Sequence, residues 1–472
     1  MDPRQELDRA LTRRTFLARS GISLGGLGLA SLLGGDLSAG EAKVPHFAPK
    51  AKRVIYLFMS GGPSHLDLFD PKPKLTQMQG KELPASLRKG QKVTAATARQ
   101  GSLPLVPPVF PFVRRGKSGV ELAEALPHTG GIVDDIAIVR SAVTDYVNHD
   151  PAVTFLLTGG QQPGRPTLGS WLSYGLGSVG KNLPEYVVLV SGEGGQPLRA
   201  RYWGNGFLPS SHQGVPFRSA GDPVLYVSNP EGMSGQARRE MLDGLHELNR
   251  LRLGVTGDPE VATRIGAYEM AYRMQTSVPE LMDISREPKS VLEMYGAEPG
   301  RASFANNCLL ARRLAERDVR LVQLYHRDWD HHTELPQGLR RQCKLTDRPC
   351  AALVRDLKQR GLLDSTLVVW AGEFGRTAYK QGTGTPERFG RDHHAQGFTV
   401  WLAGGGVKPG LVLGKTDDFG FHAVEDKVHV HDLQATILHC LGLDHKRLTY
   451  RSQGRDFRLT DVGGRVVTKL LA

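Results

Sequence analysis

Short apolar runs, bounded by Gly, Pro or charge, recur along this chain and alternate with longer amphipathic stretches. The first clear run is Val54-Ile55-Tyr56-Leu57-Phe58, β-branched, aromatic and almost wholly apolar, as a strand covered on both faces must be. The same pattern predicts strands at 136–139, 186–190, 319–325, 367–371 and 398–403, the last stopped by Gly404-Gly405-Gly406. Between them the period lengthens to that of helices, at 151–157, 168–175, 302–317, 350–360 and 432–441. Asp150 reads as the N-cap of the first of these, with Pro151 at its first position, and Gly361 closes the fourth. Residues 195–230 are rich in Gly, Pro and Ser and read as a long loop or insertion, and 233–277 as a hairpin of two charged surface helices. Helices alternating with apolar strands predict an α/β fold: an α/β/α sandwich with a central, mostly parallel sheet.

The N-terminus follows a different pattern. Thr12-Arg13-Arg14-Thr15-Phe16-Leu17 precedes a weakly apolar stretch over 22–33, and small residues follow at Ser38-Ala39-Gly40. Paired arginines, a modest apolar run and a small-residue end are the marks of a twin-arginine export leader. The run is shorter than the roughly 20 apolar residues of a membrane span, and Gly25, Gly26 and Gly28 weaken it as a helix. Residues 1–42 are therefore assigned to signal peptide and linker and 43–472 to one domain, with a helical insertion at about 230–300. The expected location is periplasmic or cell-surface, with no membrane span in the mature chain.

Composition narrows the picture only a little. The net charge of +12 is spread along the chain without an aromatic-interleaved basic patch. It reads as solvated surface with affinity for anionic substrates or cell-wall polymers, not as a nucleic-acid interface. The cysteines Cys308, Cys343, Cys350 and Cys440 lack the paired spacing of a metal site. Cys343 and Cys350 are close enough in sequence to bridge in an oxidising compartment.

In open α/β sheets ligands bind beyond the carboxyl ends of the strands, so the residues at those ends carry the functional expectation. Ser60, Ser64, His65, Asp67 and Asp70 follow the first strand. Asn148, His149 and Asp150 precede the 151–157 helix. His326, Asp328, Asp330, His331 and His332 follow the 319–325 strand, and Glu373 and Arg376 follow 367–371. Arg391, Asp392, His393 and His394 lie ahead of 398–403. Singly each is an ordinary turn or cap. Together they offer the imidazole nitrogen and carboxylate oxygen that a divalent metal takes in one shell, although a metal-free acid/base site uses the same residue types.

At these residues the chain resembles the alkaline phosphatase and sulfatase superfamily, and more closely the bacterial domain-of-unknown-function family 1501, in which twin-arginine leaders are common. That resemblance covers nearly the whole chain. It rests on Gly61-Gly62-Pro63-Ser64-His65-Leu66-Asp67, Asn148-His149, Pro163-Gly164-Arg165-Pro166, Gly206-Phe207-Leu208-Pro209, Trp329-Asp330 with His332, Gly372-Glu373-Phe374-Gly375-Arg376-Thr377, Gly390-Arg391-Asp392-His393 and Leu402-Ala403-Gly404-Gly405-Gly406. It implies a two-metal ancestry of which one position survives. Ser60 and Phe374 stand where ligands are expected, and His149 where the nucleophile is. The resemblance implies one divalent ion (zinc, calcium or manganese) on Asp330 or Asp328, His332 and His393, with Glu373 close by. His149 would serve as base or nucleophile, and Arg376 and Arg391 would hold the oxygens of an anionic ester, small or polymeric. The function so implied is hydrolysis of phosphate or sulfate esters; the alternative is an anion- or glycan-binding relative of the sulfatases without turnover.

Overall fold

The computed structural model describes residues 43–88, 92–180, 182–224, 229, 232–382, 385 and 388–472. The expected twin-arginine leader falls outside the described residues. Nine strands form one sheet: β1 (Arg53–Met59), β2 (Ile136–Val143), β3 (Tyr186–Ser191), β4 (Val215–Phe217), β5 (Leu321–His326), β6 (Thr366–Ala371), β7 (Phe398–Ala403), β8 (Val412–Leu413) and β9 (Val428–His429). Their order is β8-β2-β7-β6-β1-β5-β3-β4, with β9 also on β2. The pairings are parallel throughout except at β7, which runs antiparallel to both its neighbours, β6 and β2.

The central strand shows why the sheet is covered on both faces. All seven residues of β1 are buried. Ile55, Leu57 and Met59 enter one apolar cluster while Val54, Tyr56 and Phe58 enter the other, the period-two division that pleating imposes. The principal helices are α1 (His149–Thr158), α2 (Leu168–Leu176), α3 (Gly235–Thr256), α4 (Pro259–Met282), α5 (Phe304–Glu316), α6 (Leu335–Gln359) and α7 (Val430–Cys440). Side chains of α5 and α6 fill the first cluster and those of α1, α2 and α7 the second. No helix among the described residues is long and apolar enough to cross a membrane.

Two helices begin elsewhere than the sequence predicts. Helix α1 begins at His149, with Asn148 at the N-cap and Asp150 inside the first turn. First-turn amides need no helical partner, so Pro151 fits there as well as at the very first position. Helix α6 begins at Leu335, far ahead of residue 350, and carries Pro349 in its interior. Leu335, Leu339, Cys343, Thr346 and Cys350 make its buried stripe, a stripe interrupted in sequence by Gly338, Pro349 and a run of charges. Cys343 and Cys350 therefore share one helix, about 10 Å apart along its axis, beyond disulfide reach. Both are buried and free, and the bridge suggested by their spacing is excluded.

Candidate metal centre

The edge where the parallel strands end gathers most of the expected segments. β7 runs the other way, so the residues ahead of it, not those after it, reach that edge. His393 arrives there in a two-residue antiparallel pairing with Arg376. Gly404-Gly405-Gly406 is carried to the opposite edge, against Leu363, Thr366 and Leu367.

The chain leaves β1 through Gly61 (φ 120°) and Gly62 (φ 70°). A Cβ on Gly61 would sit 2.5 Å from the Asp330 backbone nitrogen, and one on Gly62 would sit 2.6 Å from the Phe374 ring. The bare backbone lets both amides donate to the Glu373 carboxylate, at 3.0 and 3.2 Å. Glu373, wholly buried just beyond β6, also accepts the Nδ1–H of His149 at 2.6 Å.

Asp330 is the hub. His149 Nε2 lies 3.0 Å from its Oδ2, and His332 Nε2 and His393 Nε2 lie 2.9 and 3.2 Å from its Oδ1. Among the described residues, His149, Asp330, His332 and His393 form the one group whose ligand atoms all fall within 4.8 Å of one another. Each imidazole has its Nδ1 tied back: His149 to Glu373, His393 to the Val147 carbonyl at 2.6 Å, and His332 to the Gln381 side-chain oxygen. That leaves three Nε2 atoms turned toward a single carboxylate. His149 Nε2 is buried and, despite its proximity to Asp330, makes no aligned hydrogen bond. Imidazoles fixed through Nδ1 with Nε2 presented inward are how proteins preset histidine ligands. The donor set thus fits a divalent cation, with three neutral nitrogens and one carboxylate oxygen.

Electrostatics agree with this. Burial alone would lower His149, but the nearby carboxylates of Asp330 and Glu373 outweigh it and raise the imidazole to about 9. Burial would raise Asp330, yet its three histidine partners and Arg376 hold it well below the usual carboxylate range. His393, more deeply buried, is pushed down to about 4 against the opposing pull of Asp330. Without a cation, His149 carries the proton that balances the two carboxylates.

Several expected site residues stand elsewhere. Glu373 is behind His149 and orients it, instead of joining the ligand group. Asp328, at φ 77°, is turned away and paired with Arg341 at 2.6 Å and Gln342 at 3.1 Å. Arg376 is buried and donates to the carbonyls of Gly61, Gly62, Trp329 and Arg391 as well as to Asp330 at 2.8 Å. Arg391 is buried in a two-point pair with Asp67, at 2.8 and 3.2 Å, and donates to the Thr377 and Pro107 carbonyls. Both guanidiniums brace loops from inside and are not positioned to clasp an anion. The Phe374 ring packs against His149 and His393, with centroids 5.0 and 4.4 Å apart, an apolar wall beside the cluster.

Gln196 was not legible as a site residue, yet its amide donates to Asp330 Oδ2 at 3.3 Å. Its signal is the glycine run before it: Gly192, Gly194 and Gly195 all have positive φ, and a Cβ at Gly192 or Gly195 would press on the backbone of Arg327 or Asp328. Gln381 and the Val147 carbonyl were likewise unmarked. His65 and His394, which looked equally promising, are buried against the carbonyls of Gly420 and Phe421.

Fold and site together define an α/β-sandwich protein with three histidines and one aspartate, a candidate ligand group, gathered at the carboxyl edge of its sheet. The family model described as "Protein of unknown function (DUF1501)" matches residues 51–471, and the chain belongs to that family. No curated protein matches it. Similar solved structures include an alkaline phosphatase from the Antarctic bacterium TAB5 (11% identity, 84% of this chain and 99% of that one, TM-score 0.31). A lipoteichoic acid synthase, LtaP, from Listeria monocytogenes is similar at 8% identity, over 90% of this chain and 79% of that one, TM-score 0.33. The PsFucS1 sulfatase from Pseudoalteromonas sp. is similar at 10% identity, over 89% and 71%, TM-score 0.33. Likenesses this distant carry no argument about activity.

Proposed function

We propose that this chain is an exported, single-metal hydrolase of phosphate or sulfate esters. The observation that carries the reading is the arrangement of three imidazoles, each anchored through Nδ1, with their Nε2 atoms converging on Asp330. His149, Asp330, His332 and His393 would hold the ion. A nitrogen-rich set favours zinc or manganese over calcium, which takes six or more oxygens. A divalent cation there supplies Lewis-acid polarisation of an ester oxygen.

The chain's own groups do the rest. Glu373 fixes the tautomer and tilt of His149. Arg376 offsets the charge of Asp330 from below. With His149 drawn into the ligand set, its imidazole is no longer free as nucleophile or base, so the attacking group is water. Gln196 and Gln381 stand beside the centre as amide contacts for a substrate's polar oxygens. Purified protein should carry about one zinc or manganese ion per chain, the complement of a single structural or catalytic site. Against a panel of aryl phosphates, phosphodiesters and aryl sulfates it should turn over at least one class, and His393→Ala should abolish both metal and turnover. Turnover that survives in the metal-free variant sinks the reading.

The alternative is an anion- or glycan-binding protein without turnover, although Arg376 and Arg391 spend their donors inside the fold and offer such a ligand nothing. Saturable binding of a sulfated glycan with no hydrolysis across the panel decides for it.

A further inference from the structure

Helix α3 carries a second apolar face that the described residues leave uncovered. Its packing face toward α4 is formed by buried Leu242 and half-buried Leu245, Asn249 and Leu253. Round the helix from that face, Met241, Leu248, Leu251 and Val255 are 42%, 65%, 62% and 69% exposed. With Gly244, where a Cβ would meet nothing within 4 Å, they fall at i, i+3, i+7, i+10 and i+14. That is the a/d spacing of a helix-pairing seam.

The charges beside the seam say what fits it. One edge is acidic, with Glu240 and Glu247, and the other carries the basic Arg252. A lipid surface selects a broad apolar face with cationic borders, which an acidic edge opposes. A second copy of α3 aligned in parallel brings the acidic edge of each helix to the basic edge of the other. Glu247 of one copy then stands beside Arg252 of the second, the g-to-e′ pairing of parallel coiled coils. The antiparallel alignment would instead set acidic edge against acidic edge. Glu247 is held only loosely, its one ion pair among the described residues being a surface pair with Arg250 at 3.9 Å. Gly244 and Gly254 also lower the intrinsic stability of α3, so a partner helix adds most where the element is weakest.

We infer that the α3 seam joins two copies of this chain through a parallel, two-fold helix pair, Met241, Leu248, Leu251 and Val255 meeting their counterparts across the axis.

The test is sedimentation of the purified chain from about 1 to about 200 μM, the range in which small helical interfaces associate. A monomer–dimer equilibrium is expected, weakened more than tenfold in Leu248→Asp/Leu251→Asp. Circular dichroism should be unchanged, since both positions are exposed. Glu247→Arg should weaken the dimer and Glu247→Arg/Arg252→Glu should restore it. Oxidation should link Val255→Cys to itself across the axis. A chain that stays monomeric throughout overturns the inference, as does a dimer indifferent to the Leu248/Leu251 changes. Cross-linking that needs Met241→Cys and Val255→Cys together, and fails with either alone, overturns the parallel alignment. Binding of the monomer to anionic vesicles through this face overturns the choice of occupant.

Discussion

At the residue scale the centre depends on which nitrogen of each imidazole faces Asp330. Glu373→Gln keeps a hydrogen-bond acceptor near His149 but removes the charge behind it. Metal affinity, measured by competition with a chelating dye, should fall about 10–100-fold, as for other residues that orient a ligand, with the fold retained. The proton on His149 gives the site a pH dependence with a definite sign. Its imidazole is raised from 6.5 to about 9 in the metal-free chain. The stabilisation it contributes is therefore complete below about 6.5 and lost as pH rises through about 9. A cation must displace that proton, so affinity should rise about tenfold per pH unit between 7 and 9 and then level off. Calorimetry in buffers of different ionisation enthalpy should count about one proton released per ion at pH 7. In His149→Gln the slope should vanish; a slope that persists assigns the proton elsewhere. His149, Asp330, His332 and His393 were legible in sequence because each lies next to a strand or helix end. The standing of Glu373, Asp328, Arg376 and Arg391 was not. Residue spacing says which groups reach an edge, not whether a guanidinium is already spent on a loop carbonyl.

At the element scale the strands were the most legible part, because double burial leaves no polar position to blur an apolar run. β2 outruns its apolar signal at Arg140 and Ser141, and buried Ser141 is kept in the strand by its bond to the Asp426 carbonyl at 2.6 Å. α6 was half hidden, since its buried stripe contains Thr346 and polar residues crowd its solvent side. Its continuity has a chemical consequence: thiol titration should find four free thiols in denaturant, with or without reductant, and close to none in the native protein. A bridge between Cys343 and Cys350 would require α6 to break. The turn after β1 offers a sharper probe. Gly61→Ala pushes a methyl into the backbone beside Asp330, so metal affinity should fall by more than the global stability does. Isotherms and urea melts of the same variant would show whether the two losses separate.

At the scale of the whole molecule, the helical segment after α4 is tied to the sandwich by charge as well as by apolar packing. Buried Arg312 on α5 pairs with Glu287 at 2.6 Å, Glu316 at 2.7 Å and Asp356 at 3.0 Å. Arg312→Ala leaves Glu287 to Arg313 and leaves Glu316 and Asp356 to Arg360, so it should destabilise the protein by less than the about 3–5 kcal/mol that removing one partner of an isolated buried pair costs. Urea unfolding measures it. The proposed export route is tested on intact cells, where Arg13→Lys/Arg14→Lys should leave the protein in the cytoplasm. The lone antiparallel strand bears on how the molecule is built in time. His393 reaches its partner Val147 across 246 positions of chain, and it does so only when β7 has inserted between β2 and β6. No early, local part of the fold contains the centre, and such long-range closure is slow. Ion capture during refolding should trail the recovery of helix signal and coincide with the last kinetic phase. The cation would then be a reporter of completed folding, one that a half-assembled chain has no means to hold.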